Sequence, residues 1–484
     1  MRRAGSKSRL VAVKLASVLL GLAGASGPAF AAEAQTGGCG SVLAPGTGNS
    51  TAGGGASQQC GDTLAILFWV MSLPQSGGGG GTGPGGATIP GAPGGLALAP
   101  PPVIAAVPPL VAGQFRPNEV LILLQPGATA DIAQALARDY ALQLEVFTPS
   151  RSLRSALVRF RIPDARPVAA VLAALSRDTR VRASQPNYLY RQTAGAAVPA
   201  GAFPQYALDL IGARQAAARS SGLRPPLVAV IDTGIDETHP DLIGAVRDRY
   251  DAVGDGHWDV GAHGTGIAGI IAARGQSQGV DPGAYLLSVR AFPAGQGDVS
   301  EATSMALLRG LDWASAQAAD VVNMSLAGPP DPLVDAAVDE VLKAGIIVVA
   351  AAGNGGPDAP PAYPAAVKGV VAVTATDQQD QLFKGANKGA YIVVAAPGVD
   401  ILSTSPGGGF ALATGTSQAA AEVSGVLAIL RALRPGLTPQ AAIELLSRTA
   451  KDLGPAGRDD GFGAGRIDAA AAIDELGSAE QAGQ

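Results

Sequence analysis

Six near-continuous apolar runs recur between residues 227 and 398: LVAVID (227–232), AYLLSVRAF (284–292), VVNMSLAG (321–328), IIVVAAAG (346–353), VVAVTATD (370–377) and YIVVAAPG (391–398). No other feature narrows the possible folds as much. A strand with one wet face alternates apolar and polar residues, whereas a strand that is apolar throughout needs cover on both faces. That is the situation of a parallel sheet between helix layers. The segments between the runs carry helix punctuation. SEATSMALLRGLDWASAQ (300–317) opens on Ser300 as an N-cap, DPLVDAAVDEVLKAG (331–345) opens on Asp331-Pro332 and stops at Gly345, and TPQAAIELLSRTA (438–450) opens on Thr438-Pro439. Residues 206–475 therefore read as one α/β domain with a mainly parallel central sheet flanked by helices, and 476–484 as a tail.

The preceding stretch, 114–193, has a different rhythm. EVLILL (119–124), LQLEVFT (142–148), ALVRFRI (156–162) and VRASQPNYLY (181–190) read as strands, and DIAQALARDYAL (131–142) and PVAAVLAALSRD (167–178) as helices. The order strand-helix-strand-strand-helix-strand predicts a small α+β, ferredoxin-like unit with two helices on an antiparallel sheet. Its charge also differs. Residues 114–193 hold 11 Lys+Arg against 6 Asp+Glu, while 206–484 hold 18 against 31, so a basic unit precedes an acidic one and the two can dock. Neither has the dense basic clusters of a nucleic-acid binder, so no nucleic-acid partner is expected.

The start of the chain has the form of an export signal over 1–31: Arg2, Arg3, Lys7 and Arg9, then an apolar stretch from Leu15 to Ala25, then Ala29-Phe30-Ala31. Residues 32–113, rich in Gly, Pro, Ala and Ser, read as a disordered spacer that cannot bury enough apolar surface to fold, and 33–113 is open to a role as an envelope tether. The apolar run 64–73 within it is too short to span a bilayer, and no transmembrane segment is expected once the signal is removed. The two cysteines, Cys39 and Cys60, read as a local disulfide in an oxidising compartment, with a free pair as the alternative. An exported protein, secreted or held in the periplasm or envelope, is the expectation.

Three clusters of chemistry fall at strand ends or helix starts, where open parallel sheets place their sites. In VAVIDTGID (228–236), Asp232 closes an apolar strand and needs a partner, although Asp-Thr-Gly is also a common turn former. In HGTGIAGIIAA (263–273), His263 precedes a Gly/Ala-rich helix 31 residues after Asp232, although a lone histidine there is more often structural. In GTSQAAAEVSG (415–425), Ser417 stands at a helix start, where backbone N–H groups favour developing negative charge, and a plain helix cap is the bland reading. Taken together they follow the chain order Asp, His, Ser of one triad architecture. A serine hydroxyl needs a base, His263 can serve near neutral pH, and Asp232 can hold the imidazole's tautomer. Asn354, in AAAGNGG (350–356), can donate to an oxyanion.

VAVIDTGID, HGTGIAG, NMSLAG, AAAGN, APG and GTS, in that order, resemble the subtilisin-like serine proteases, and the similarity extends over about 206–475. The resemblance implies a three-layer subtilisin-like fold, a triad of Asp232, His263 and Ser417, and Asn354 as oxyanion donor. It further implies that Ser325, Leu326, Ala327 and Gly328 form an edge pairing with protein or peptide substrates, while Ala352 and Gly353 line the primary pocket. It makes 114–193 an inhibitory propeptide, an intramolecular partner removed by self-cleavage somewhere in 190–205, with 194–205 as the processing linker. No cofactor is required and no metal residue is assigned; many relatives carry structural calcium, but no cluster of oxygen ligands is evident in ARGQSQGVDPGA (273–284). The pattern departs from the family at Gln418, Ala421 and Glu422, where Met, Pro and His are usual. Two rival readings are a metal hydrolase built on Asp232, Asp236, His239 and Asp241, and a silent binding protein on the same scaffold.

Overall fold

The structure, a computed structural model, describes residues 100–192, the backbone of 198–199, 205–293 and 301–482. The signal-like leader, Cys39, Cys60, the apolar run at 64–73 and most of the 194–205 linker lie outside the described residues.

The first folded region has strands β1 (Phe115–Leu124), β2 (Gln143–Ser150), β3 (Ser155–Arg161) and β4 (Val181–Gln192), with helices α1 (Ala130–Asp139) and α2 (Val168–Leu175). The strands are antiparallel in the spatial order β4-β1-β3-β2. Side chains alternate across a strand, so β1 serves two cores. Val120, Ile122 and Leu124 pack with Leu136, Val171 and Leu175 of the two helices. Leu121 and Leu123, on the other face, belong to the core of the second region. From Val120 to Leu124 the strand is apolar without interruption because both of its faces are covered. Residues 100–112, which composition assigns to the spacer, are also tied down at points: Pro102 is buried, and the carbonyls of Pro100 and Pro102 accept from Arg154 and Arg182.

The second region begins with β5 (Val198–Pro199), α3 (Tyr206–Leu210) and α4 (Ala213–Ser220). Its central sheet contains β6 (Leu227–Asp232), β7 (Val246–Asp251), β8 (Tyr285–Arg290), β10 (Val321–Met324), β12 (Ile347–Ala351), β13 (Val371–Thr376) and β14 (Val394–Pro397), in the order β14-β13-β12-β10-β6-β8-β7. Every pairing in it is parallel. Two short strands, β9 (Glu301–Thr303) and β11 (Leu326–Ala327), leave this sheet and pair with β4, while the hairpin β15 (Ile401–Ser405) and β16 (Gly409–Ala413) pairs with β5. The helices are α5 (Ala262–Ala272), α6 (Ser304–Ala316), α7 (Pro332–Lys343), α8 (Thr416–Leu433), α9 (Pro439–Thr449) and α10 (Ala469–Ala482). Helices α4 and α5 each pack against α8, and α6 packs with α7, which gives the three-layer α/β fold. From β6 the chain runs to the edge strand β7, returns inward to β8 between them, then crosses to β10 on the other side of β6 and winds the other way through β12, β13 and β14. The reversal opens a crevice at the β6/β10 boundary, above the strand end that carries Asp232.

Local chemistry shifts three boundaries from the sequence reading. The helix expected from Ser300 starts at Ser304, because Thr303 is extended and its Oγ1 accepts from Ala306 N, while Glu301–Thr303 pair with β4. The run 321–328 breaks at Ser325, so that Leu326 and Ala327 point their backbone at a different partner. The strand expected over 391–398 covers only Val394–Pro397. Strand β7, VRDRYD, is too polar to read as a strand and is tolerated because it is the sheet's edge.

Helix α8 is buried almost throughout, and Glu422 lies inside it with its Oε2 buried and without a hydrogen-bond partner among the described residues. Burial pushes its carboxyl up to about 8, so it is mostly neutral at pH 7. A carboxyl that ionises near its ordinary value in the unfolded chain but only near 8 in the folded one leaves stability highest below about pH 4.5. Stability is then lost progressively between about pH 4.5 and 8. In a Ser417→Ala background, which avoids autolysis, Glu422→Gln is expected to match its parent near pH 4.5. By pH 9 it should exceed it by on the order of a few kcal/mol in denaturant unfolding. A pH-independent difference between the two would show that Glu422 is not the titrating group.

Candidate active site

Asp232 is the last residue of β6 and is fully buried. Its carboxylate lies 2.8 and 2.7 Å from His263 Nδ1 and accepts from Thr233 N at 2.7 Å. Helix α5 makes this contact by starting one residue before His263. The carboxylate accepts a hydrogen bond from Nδ1–H and so holds the proton on that nitrogen, which makes Nε2 the unprotonated nitrogen when the ring is neutral. That Nε2 is buried and has no hydrogen-bond partner among the described residues.

Ser417 is the second residue of α8, preceded by Gly415 with φ of 154°, a conformation that side-chain-bearing residues rarely adopt. Its hydroxyl donates to the Ser325 carbonyl at 3.1 Å, and Ser325 Oγ donates in return to the Ser417 carbonyl at 3.0 Å. Beneath them Asn323 Nδ2 donates to Ser325 Oγ at 3.0 Å, and Ser424 Oγ donates to Asn323 Oδ1 at 2.9 Å. A fully buried polar chain thus ties the break between β10 and β11 to the first turns of α8. Asn354 is fixed from the same helix: its Oδ1 accepts from Thr416 N at 3.1 Å and Thr416 Oγ1 at 2.9 Å, which leaves Nδ2 as the donating end of the amide. Thr416 Oγ1 also accepts from Gly353 N at 3.1 Å, and Tyr391 donates to the Ala352 carbonyl at 2.7 Å, so the strand end expected to line a pocket is held on both sides.

Leu326 and Ala327 pair antiparallel with Gln192 and Arg191 at the end of β4. On its other side the same tail pairs with β9, where Leu189, Tyr190 and Arg191 face Thr303, Ala302 and Glu301. An extended segment of the first region is therefore clamped between two strands of the second. Gly328 continues the edge by exchanging backbone hydrogen bonds with Tyr363. Gln192 joins the two halves of the site, since its backbone pairs with Leu326 and its Nε2 lies 3.4 Å from Asp232 Oδ1. Arg191–Glu301 and Arg154–Glu340 are ion pairs across this interface, and Ser152 Oγ donates to Asp312 at 2.5 Å, in keeping with the opposite charges of the two regions.

Thr416, Asn323, Ser424, Gln192 and strand β9 are the parts that sequence reasoning does not single out. Asn323 and Thr416 lie inside quoted motifs, but nothing in their spacing announces a role beneath the site. The carboxylates behind the metal reading are held by the protein itself. Asp236 accepts from Thr238 and Gly407 N, and Asp241 accepts from Gln276 N and from the amide and hydroxyl of Ser277. His239 Nδ1 accepts from Asp241 N, and its Nε2 meets the Gly409 carbonyl. Among the described residues no group of three or more His, Cys, Asp or Glu is placed to hold a metal ion.

The model of the subtilase family matches residues 224–465. The chain is 37% identical over 289 residues to the minor extracellular protease Epr of Bacillus subtilis, covering 58% of this chain and 44% of Epr. It is 34% identical over 289 residues to a thermophilic serine proteinase of Bacillus sp. strain AK1, covering 56% of this chain and 68% of that protein. The fold is similar to the crystal structure of fervidolysin from Fervidobacterium pennivorans, a keratinolytic enzyme related to subtilisin. The TM-score is 0.66 at 25% identity, over 77% of this chain and 63% of fervidolysin. The chain thus spans less than half the length of Epr and under two thirds of fervidolysin.

If Thr416 aims the Asn354 amide, Thr416→Val is expected to lower kcat on a peptide substrate roughly tenfold with little change in KM. It should also lower stability by about 1–2 kcal/mol, because Gly353 N loses its acceptor. Steady-state kinetics and denaturant unfolding read the two effects, and an unchanged kcat would remove Thr416 from the site.

Proposed function

The chain belongs to the subtilase family, and on that premise we propose that it is an exported serine endopeptidase made as a zymogen. The observation that carries this reading is the contact of fully buried Asp232 with His263 Nδ1, which leaves Nε2 as the available base. Beside it, Gln192 spans the distance from that pair to the edge strand next to Ser417.

In the proposed reaction a peptide takes the place of the β4 tail between β9 and β11. Ser417 turns its proton from the Ser325 carbonyl to His263 Nε2 as its oxygen attacks the scissile carbonyl carbon. Asp232 stabilises the imidazolium without taking the proton itself. The carbonyl oxygen, now negative, is met by Asn354 Nδ2 and by the N-terminus of α8. His263 then returns the proton to the leaving amine, and water repeats the sequence in reverse to release the acyl group. Losing such an amide donor costs about 10²–10³ in turnover, a magnitude that belongs to subtilisin and is carried over to this chain by family membership. No cofactor enters the proposed chemistry.

The region 114–193 acts in this reading as the enzyme's own inhibitor, with β4 lying where substrate would lie and the chain cut in 190–205. Export is supported by the signal-like start and by the name of one relative, the minor extracellular protease Epr. Among the described residues no helix is long and apolar enough to cross a membrane.

Expression of residues 33–484 should give a species that a fluorophosphonate labels at Ser417 and whose mass places its N-terminus after a cut within 190–205. The Ser417→Ala chain should be neither labelled nor shortened. Shortening that persists in that variant would assign the cut to another protease, and an unlabelled wild-type chain would favour the silent scaffold.

A further inference from the structure

Tyr190 is fully buried although it lies at the end of a strand at the surface of its own region. Its ring lies against Gly328 so closely that a Cβ there would sit 2.4 Å from Tyr190 Cδ1. Its hydroxyl donates to Asp331 Oδ2 at 3.0 Å. Asp331, also fully buried, is the N-cap of α7.

The donors around Asp331 divide between the two regions. Leu333 N at 3.2 Å, Val334 N at 3.1 Å and Ser304 Oγ at 2.5 Å belong to the second region. Gln185 Nε2 at 2.7 Å and Tyr190 Oη belong to the first. When the first region leaves, Oδ1 keeps the two helix amides, but Oδ2 keeps Ser304 alone and faces the space the phenol filled. A peptide bound in the register of β4 puts a side chain in that space, because Tyr190 precedes by two residues the Gln192 that pairs with Leu326.

We propose that Asp331 sets the specificity at this position, so that the enzyme prefers peptides carrying tyrosine, over phenylalanine, two residues before the one paired with Leu326. The inference rests on the endopeptidase reading above. The missing side wall at Gly328 admits a flat ring, and the buried carboxylate at the end accepts from the phenol. A phenylalanine fills the same volume but leaves Oδ2 short of a donor where water has little access, and a site built to meet a hydroxyl discriminates against the analogue lacking it. Lysine brings a donor but no ring. The charge of Asp331 is already met by two amides at the α7 N-terminus and by the Ser304 hydroxyl, so a cation is not required.

The test uses processed enzyme from the full chain and three peptides of residues 186–205 of its own sequence: unchanged, Tyr190→Phe and Tyr190→Lys. Cleavage is followed by kcat/KM and product mass. The unchanged peptide is expected to exceed the Tyr190→Phe peptide by about 10- to 100-fold. In Asp331→Asn enzyme that ratio is expected to fall to within about threefold, a change that a general loss of folding does not produce. If Asp331→Asn does not fold, the peptide series on the wild-type enzyme decides alone. Equal rates for the tyrosine and phenylalanine peptides, a lysine peptide cut faster than either, or a preference that survives in Asp331→Asn would overturn the inference. No cleavage together with no labelling of Ser417 would overturn the endopeptidase reading and this inference with it.

Discussion

The site depends on one carboxylate removed from water. Asp232 is fully buried, and an isolated charge there would be expensive. The cost is offset by donors that arrive from separate parts of the chain: the next backbone amide, the His263 ring and, at 3.4 Å, the Gln192 amide. Each donor fixes something else as it satisfies the charge. The amide closes the turn after β6, the ring sets which histidine nitrogen is protonated, and the glutamine holds the end of β4 over the crevice. The sheet supplies the place, because the reversal of winding beside β6 keeps helices from covering that strand end.

Much of this is legible in the sequence, and what is not has a common cause. The six apolar runs announce a parallel sheet because burial on both faces leaves a one-dimensional signature. The same holds for Asp232, His263 and Ser417, each at the border between an apolar run and small residues. Strand β9 reads as part of a helix because EAT has no strong local preference, and only its pairing with β4 makes it extended. The break at Ser325 is invisible for the same reason: VVNMSLAG is apolar on both sides, and the decision to leave the sheet is made by Asn323, Ser424 and the β4 tail from elsewhere in the chain. The residues that steer rather than react, Thr416 and Gln192 among them, look like ordinary polar residues until their partners are in place.

The interface between the two regions shows why the charge difference in the sequence is informative without being decisive. Ion pairs such as Arg191–Glu301 are partly exposed, and pairs of that kind contribute about 0–1 kcal/mol each. They favour encounter and correct orientation more than they hold the regions together. The holding is done by Leu121, Leu123 and Leu157, which share a core with the second region, and by the backbone ladder on both sides of β4. On the proposed reading, a peptide that replaces the tail would inherit the ladder but not that apolar face, so the first region would be held tightly while short products are released.

Two buried acids in the second region make the underlying logic visible. Asp331 and Glu422 are both removed from solvent, and burial pushes both carboxyls upward. Asp331 meets five donors, including two amides at the start of α7, and these pull back toward the charged form. Glu422 meets no such set, and desolvation acts on it unopposed. The same kind of side chain thus enters one place as a hydrogen-bond acceptor with a direction and the other as a neutral acid that fills space in a helix. What separates them is the supply of donors, and at Asp331 part of that supply, Gln185 and Tyr190, comes from the first region. On the proposed reading that neighbour leaves and Asp331 discriminates among whatever replaces it, whereas Glu422, enclosed by its own core, bears on stability.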